Sequence, residues 1–187
     1  RMETIYRLGR AAEFRDNDTG MHVVRMSRFS AIIAQGFNLD EKECELILNA
    51  SPMHDVGKIG IPDRVLLKPG KLDAEEWETM KTHSAIGAQI LSRGKHKLTN
   101  IAKTIALCHH EKWDGTGYPN GISGNSIPLT ARIVSIADCF DALTSQRPYK
   151  AAWSVEDAVK EMDRVTGTCF DPELMKTFHK VLPEIIK

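Results

Sequence analysis

The sequence predicts an all-α fold, and three observations carry that reading. Apolar residues recur at helical spacing along most of the 187 residues, with no sustained alternation of period two. The two dipeptides that can close a β-hairpin, Asp114-Gly115 and Asn120-Gly121, both fall inside one polar loop rather than between strand-like runs. Helix start and stop residues punctuate the chain at intervals suited to helices of ordinary length.

In chain order, a first helix is expected over residues 2–15 and a second over 21–35, closed by Gly36. Asp40 and Glu43 have the spacing of a capping box and open a third helix, which runs toward His54 with Pro52 starting or kinking its last turn. Residues 60–71, with Pro62-Asp63 and Pro69-Gly70, read as a loop, and Asp73 with Glu76 caps the helix that follows. Two more helices are expected over 84–93 and 98–108, then a glycine-rich polar loop over 111–126. Pro128 suits the first turn of a long helix ending near Arg147-Pro148. Ser154 caps another that stops at Gly167, and Asp171-Pro172 opens the last. Trp77, Trp153, Phe140, Phe170 and Phe178 have aliphatic neighbours at helical spacing and are expected in the core. With no internal repeat, one domain over 1–187 is expected. Because the chain starts inside a helical pattern, 1–15 is expected to end a linker helix from a preceding sensory or receiver domain.

Composition removes several classes of function. Twenty-five basic and 25 acidic residues balance to a formal net charge of zero, so no broad basic face for a nucleic acid polymer is implied. The cysteines Cys44, Cys108, Cys139 and Cys169 are scattered with no C-x-x-C spacing, against a zinc ribbon, redox pair or disulfide scaffold, and suit a reducing, cytoplasmic setting. No apolar run reaches the roughly 18 residues of a membrane span, so no direct membrane insertion is expected.

The chemistry-bearing residues are concentrated. His109-His110-Glu111 follows an apolar helix, and His54-Asp55 closes another. Successive imidazoles there leave at least one buried nitrogen short of a partner unless a metal or a carboxylate takes it. Neighbours on a helix diverge by about 100°, so His54 and Asp55 can serve one site together only at a helix end or in a distorted turn. Gly57 is expected to supply that backbone freedom, and Gly87, one turn past His83, to allow close backbone approach. Asp138 sits between Ile136-Ala137 and Cys139-Phe140, where a buried carboxylate needs a cation. Imidazole and carboxylate donors suit iron, manganese, nickel or zinc rather than calcium.

Three strings carry a resemblance: His54-Asp55-Val56-Gly57-Lys58; His109-His110-Glu111 continuing through Asp114-Gly115, Gly117-Tyr118-Pro119; and Ile127-Pro128 through Arg132-Ile133, Asp138, Asp141-Ala142-Leu143 and Arg147-Pro148-Tyr149. Over residues 13–150 the chain resembles the HD-GYP family, a branch of the HD superfamily of metal-dependent phosphohydrolases. That resemblance implies a helical bundle with a buried metal centre and a bacterial phosphodiesterase that hydrolyses cyclic di-GMP to linear pGpG, and onward to GMP. By position it implies His22, His54, Asp55, His83, His109, His110 and Asp138 as ligands, with Asp55 bridging two divalent ions. Iron or manganese is expected first, with nickel, zinc or magnesium as alternatives. Asp18 stands where some members carry a third-metal glutamate and is read either as a ligand or as a helix cap or support.

Two ions about 3.5–4 Å apart can hold a hydroxide between them for in-line attack on phosphorus, so no protein nucleophile is required. The resemblance accordingly implies catalysis at His54, Asp55 and Lys58, with Lys58 matching the family lysine that reaches the scissile phosphate or leaving oxygen. Arg147 and Lys150 are placed to hold phosphate oxygens. Substrate contacts are also expected from Asp114, Tyr118 and Asp141. Tyr118 is read as stacking on a base or packing, Asp141 as meeting substrate or orienting a ligand, and Glu111 as orienting a ligand histidine. Cyclic GMP-AMP is the nearest rival substrate. An idle domain that binds the dinucleotide or a GGDEF-domain protein is disfavoured by the filled ligand positions, and a general HD nucleotidase by the 114–119 loop. A monomer and a dimer both fit.

Overall fold

The computed structural model describes residues 21–92, 94, 96–146 and 151–187, together with Arg7 and Gly9. The fold is all-α, as the periodicity indicates, and no strand occurs among the described residues. The helix expected over 2–15 lies outside them except for Arg7 and Gly9, which are helical.

Helix α1 (Met21–Gly36) is the central element. It turns out through Asn38, whose φ of 64° is the left-handed conformation asparagine tolerates. Helix α2 (Glu41–Ala50) opens with the expected capping box, Asp40 accepting from the Glu43 amide. Pro52 then converts its end into a 3-10 turn, Ser51–Met53, and a second 3-10 turn follows at Val56–Gly60. The stretch expected to be loop holds a short helix, α3 (Asp63–Leu66), because Val65 and Leu66 bury against Ile61 once Pro62 has set the entry. Helix α4 (Ala74–Lys81) carries the second expected capping box, Asp73 with Glu76. Next come α5 (His83–Ile90), α6 (Lys97–Cys108) and α7 (Leu129–Thr144), the last ending short of Arg147. Helix α8 (Val155–Arg164) is capped by Ser154, and α9 (Pro172–Ile185) starts at Asp171-Pro172.

The core lies where α1 packs against α2, α7 and α9. Ile33, Ile47, Ile105, Ile136, Phe140 and Phe178 are buried there, with the Phe140 and Phe178 rings 5.2 Å apart, edge to face. Each such side chain contributes about 1.5–3 kcal/mol on burial. Phe170 is buried too, but Trp77 and Trp153 are not: they are 47% and 40% exposed. Helix α4 buries none of its residues, so helical spacing beside aliphatic neighbours misled at Trp77. No disulfide joins the cysteines, and no helix among the described residues is long and apolar enough to cross a membrane.

Candidate metal centre

His54 and Asp55 fall between the two 3-10 turns, at the distorted turn an adjacent pair needs to face one site. Gly57 contributes differently from expectation. Its φ is not positive, so it is required for space: a Cβ there would stand 1.9 Å from the His83 carbonyl oxygen and 2.4 Å from the Gly87 amide nitrogen. The missing side chain lets the second 3-10 turn lie against α5 and brings His83 beside Asp55.

Three histidines are held in one way. The Nδ1 of His54 lies 3.0 Å from the Ser51 carbonyl, that of His83 2.7 Å from Met80, and that of His109 3.0 Å from Ile105. A carbonyl only accepts, so each Nδ1 carries the proton and each Nε2 presents a lone pair. Those three Nε2 atoms, together with Asp55 Oδ1, are buried without a hydrogen-bond partner. An unsatisfied buried polar group costs about 1–3 kcal/mol, and four around one space are what a cation resolves.

The ligand-type atoms sort into two groups, Asp55 with His83, His109 and His110, and His22 with His54 and Asp138, each within 4.8 Å of one another. Asp55 faces both: Oδ1 is 3.3 Å from His83 Nε2 and 3.6 Å from His109 Nε2, while Oδ2 is 3.3 Å from His54 Nε2. His22, on α1, points Nε2 at Asp138 Oδ1 of α7, 3.3 Å away. All seven expected ligand positions thus converge. Burial opposes charge on Asp55, yet Lys58 and His54 hold its carboxyl well below the usual range. Burial likewise opposes charge on Asp138, which the His22 hydrogen bond pulls down. Burial pushes His109 and His110 down, whereas His54 is raised despite burial by the Asp55 carboxylate. Ionised carboxylates beside the neutral imidazoles of His109 and His110 are the state in which such groups ligate a metal.

Lys58 Nζ is 2.9 Å from Asp55 Oδ2. Tyr118 packs its ring on His110, centroids 4.7 Å apart and stacked, with Trp77 edge-on at 6.1 Å. The loop that carries it is fixed by Tyr118 N–H to the His110 carbonyl (3.2 Å) and by Trp113 and Asp114 N–H to the Cys169 and Thr168 carbonyls. Gly117 again serves close approach, since a Cβ would meet Lys112 N at 2.3 Å. Burial pushes the Cys108 thiol up to about 11, leaving it protonated and no nucleophile.

Three expected contacts are placed elsewhere. Asp114 is exposed, and its carboxylate accepts from the Thr116 amide and hydroxyl, capping its own turn. Glu111 accepts from the Asn120 amide and not from a histidine. Asp141 is 1% exposed, and its oxygens accept from His22 Nδ1 (2.7 Å) and Arg25 Nε (2.5 Å), a place for orienting His22 and closed to substrate. Arg25 escaped the sequence reading; its one signal is its spacing of three from His22. Asp18, Arg147 and Lys150 lie outside the described residues.

Comparison with known proteins adds to this geometry. A family model described as "HD domain" matches residues 8–174. The chain is 48% identical over 174 residues to a 3'3'-cGAMP-specific phosphodiesterase of Vibrio cholerae serotype O1, covering 93% of this chain and 33% of that protein. It is also 48% identical over 170 residues to the cyclic di-GMP phosphodiesterase response regulator RpfG of Xanthomonas campestris pv. campestris, covering 91% and 45%. A solved structure of a cyclic GMP-AMP specific phosphodiesterase of V. cholerae superposes with a TM-score of 0.73 at 19% identity, over 99% of this chain and 50% of the other, which supports the fold. The chain spans less than half the length of these two curated relatives.

Proposed function

The chain belongs to the HD domain family, in its HD-GYP branch, and we propose that it hydrolyses cyclic di-GMP to pGpG and onward to GMP. The observation that carries this is the set of buried, partnerless ligand atoms on His54, His83, His109 and Asp55. His22, His54 and Asp138 would hold one divalent ion and His83, His109 and His110 another, with Asp55 between them because each of its oxygens faces one group. Bound there, the ions supply Lewis acidity and lower the pKa of water at neutral pH. Iron or manganese suits this donor set first, and nickel, zinc or magnesium are alternatives. A third ion would draw on Asp18.

The chain's own groups have separate tasks. Lys58 Nζ, now on Asp55, is the donor for a phosphate oxygen or the leaving oxygen as water adds across the P–O bond. Arg147 and Lys150 would hold the remaining phosphate oxygens. Tyr118 backs His110 and, with Trp77, presents ring surface toward a purine. We place the protein in the cytoplasm as one HD-GYP domain, with GGDEF-domain proteins as candidate partners.

One observation favours a second substrate. Relatives named for cyclic GMP-AMP and for cyclic di-GMP match this chain at the same 48% identity, so cyclic GMP-AMP is the alternative. Incubating the protein with each dinucleotide and Mn²⁺ or Fe²⁺ and separating the products decides between them. The expected product is pGpG; turnover of neither overturns the reading.

A further inference from the structure

His54, His83 and His109 rest on main-chain carbonyls at Nδ1; His22 rests on a carboxylate. The difference arises from two facing helices. His22 and Arg25 stand three residues apart on α1, and Asp138 and Asp141 three apart on α7, so each pair shares a helix face. Where α1 and α7 pack, the His22 ring lies between two acids, with Nε2 3.3 Å from Asp138 and Nδ1 2.7 Å from Asp141.

Asp141 is buried, and a buried carboxylate with only a neutral imidazole beside it would be costly. Arg25 offsets that charge: Nε donates to Oδ1 at 2.5 Å and a terminal nitrogen to Oδ2 at 3.0 Å, while the same nitrogen donates to Ser145 Oγ at 2.7 Å. The guanidinium fork fixes the carboxylate's orientation. A carboxylate at Nδ1 fixes the ring and raises the donor strength of Nε2 more than a neutral carbonyl does, and losing such a support typically costs 10–100-fold in metal affinity.

We infer that Asp141, clamped by Arg25, is the positioning residue for His22 and sets the affinity of the His22–His54–Asp138 ion position separately from that of its neighbour. This rests on the metal reading above. The His22–His54–Asp138 position thereby combines one imidazole supported by charge, His22, with one supported by a main-chain dipole, His54, whereas His83 and His109 in the neighbouring position both rest on main-chain dipoles.

The test is metal uptake rather than turnover. Stripped wild-type, Asp141→Asn, Arg25→Gln and His83→Ala proteins are titrated with Mn²⁺ against a competing chelator, ions per chain are counted, and helical content is followed by circular dichroism. Wild type is expected to hold two ions. Asp141→Asn should hold one with wild-type affinity and the other about 10–100-fold more weakly, and Arg25→Gln should weaken that same ion less. His83→Ala should weaken the other, so that combining it with Asp141→Asn weakens both. Where Asp141→Asn loses helical content, Arg25→Gln, which keeps the carboxylate, carries the test. Two ions at wild-type affinity in the folded Asp141→Asn or, failing that, Arg25→Gln protein would overturn the inference. A wild-type protein that binds no ion would instead remove the metal reading, and this inference with it.

Discussion

His54, His83 and His109 are each held by a carbonyl three or four residues back in their own turn. At the rim, Tyr118 stands beside His83, and Trp77 and Lys81, from a helix that buries none of its residues, meet the Tyr118 ring through a ring edge and a cation over the ring. The wall is therefore fixed by local backbone geometry that forms wherever those turns form, while the rim depends on side chains half in solvent. The difference separates two properties. On the proposed function, metal chemistry would follow from the wall and choice of base from the rim, where few contacts are fixed.

Changes in the wall should be the most damaging. Asp55→Asn or His110→Ala is expected to reduce hydrolysis to background and lower bound metal with helical content largely kept, measured by product separation and metal analysis. Full activity in either variant would break the contrast at its root. Gly57→Ala comes next, because its Cβ would meet the α5 backbone at His83 and Gly87, so that α5 must move. Overpacking of this kind costs about 1–3 kcal/mol, several degrees in Tm, and activity should fall with it.

The rim should respond in substrate terms alone. Trp77→Ala is expected to raise KM for the preferred dinucleotide about tenfold, as loss of one base stack would, with stability changed by no more than about 0.5 kcal/mol. A drop in Tm with unaltered KM would make Trp77 a packing residue after all. Smallest for function is Ser154→Ala, away from both regions: losing the cap of α8 should cost about 1 kcal/mol and leave KM and metal content untouched.

Much of the wall was legible in the sequence because its parts are local. Pro52 at the helix end and the two histidine motifs act within a turn or two of themselves, as the capping residues Asp40 and Asp73 do elsewhere in the fold. What stayed hidden depends on distant segments meeting. Gly57 reads as a hinge, and only α5 against it shows that the missing side chain makes room. Trp77 has the spacing of a core residue but lies on a helix that buries nothing. Asp141 reads equally as a substrate contact until Arg25, 116 residues away, closes on it.

The buried histidine and carboxylate cluster is proposed to work as a metal centre for phosphodiester hydrolysis. Its most direct test removes bound metal with a chelator and restores Mn²⁺ stepwise while cyclic di-GMP hydrolysis and ions per chain are followed together. Activity lost on stripping and regained as the second ion binds is the predicted result. Hydrolysis that survives complete stripping would contradict it.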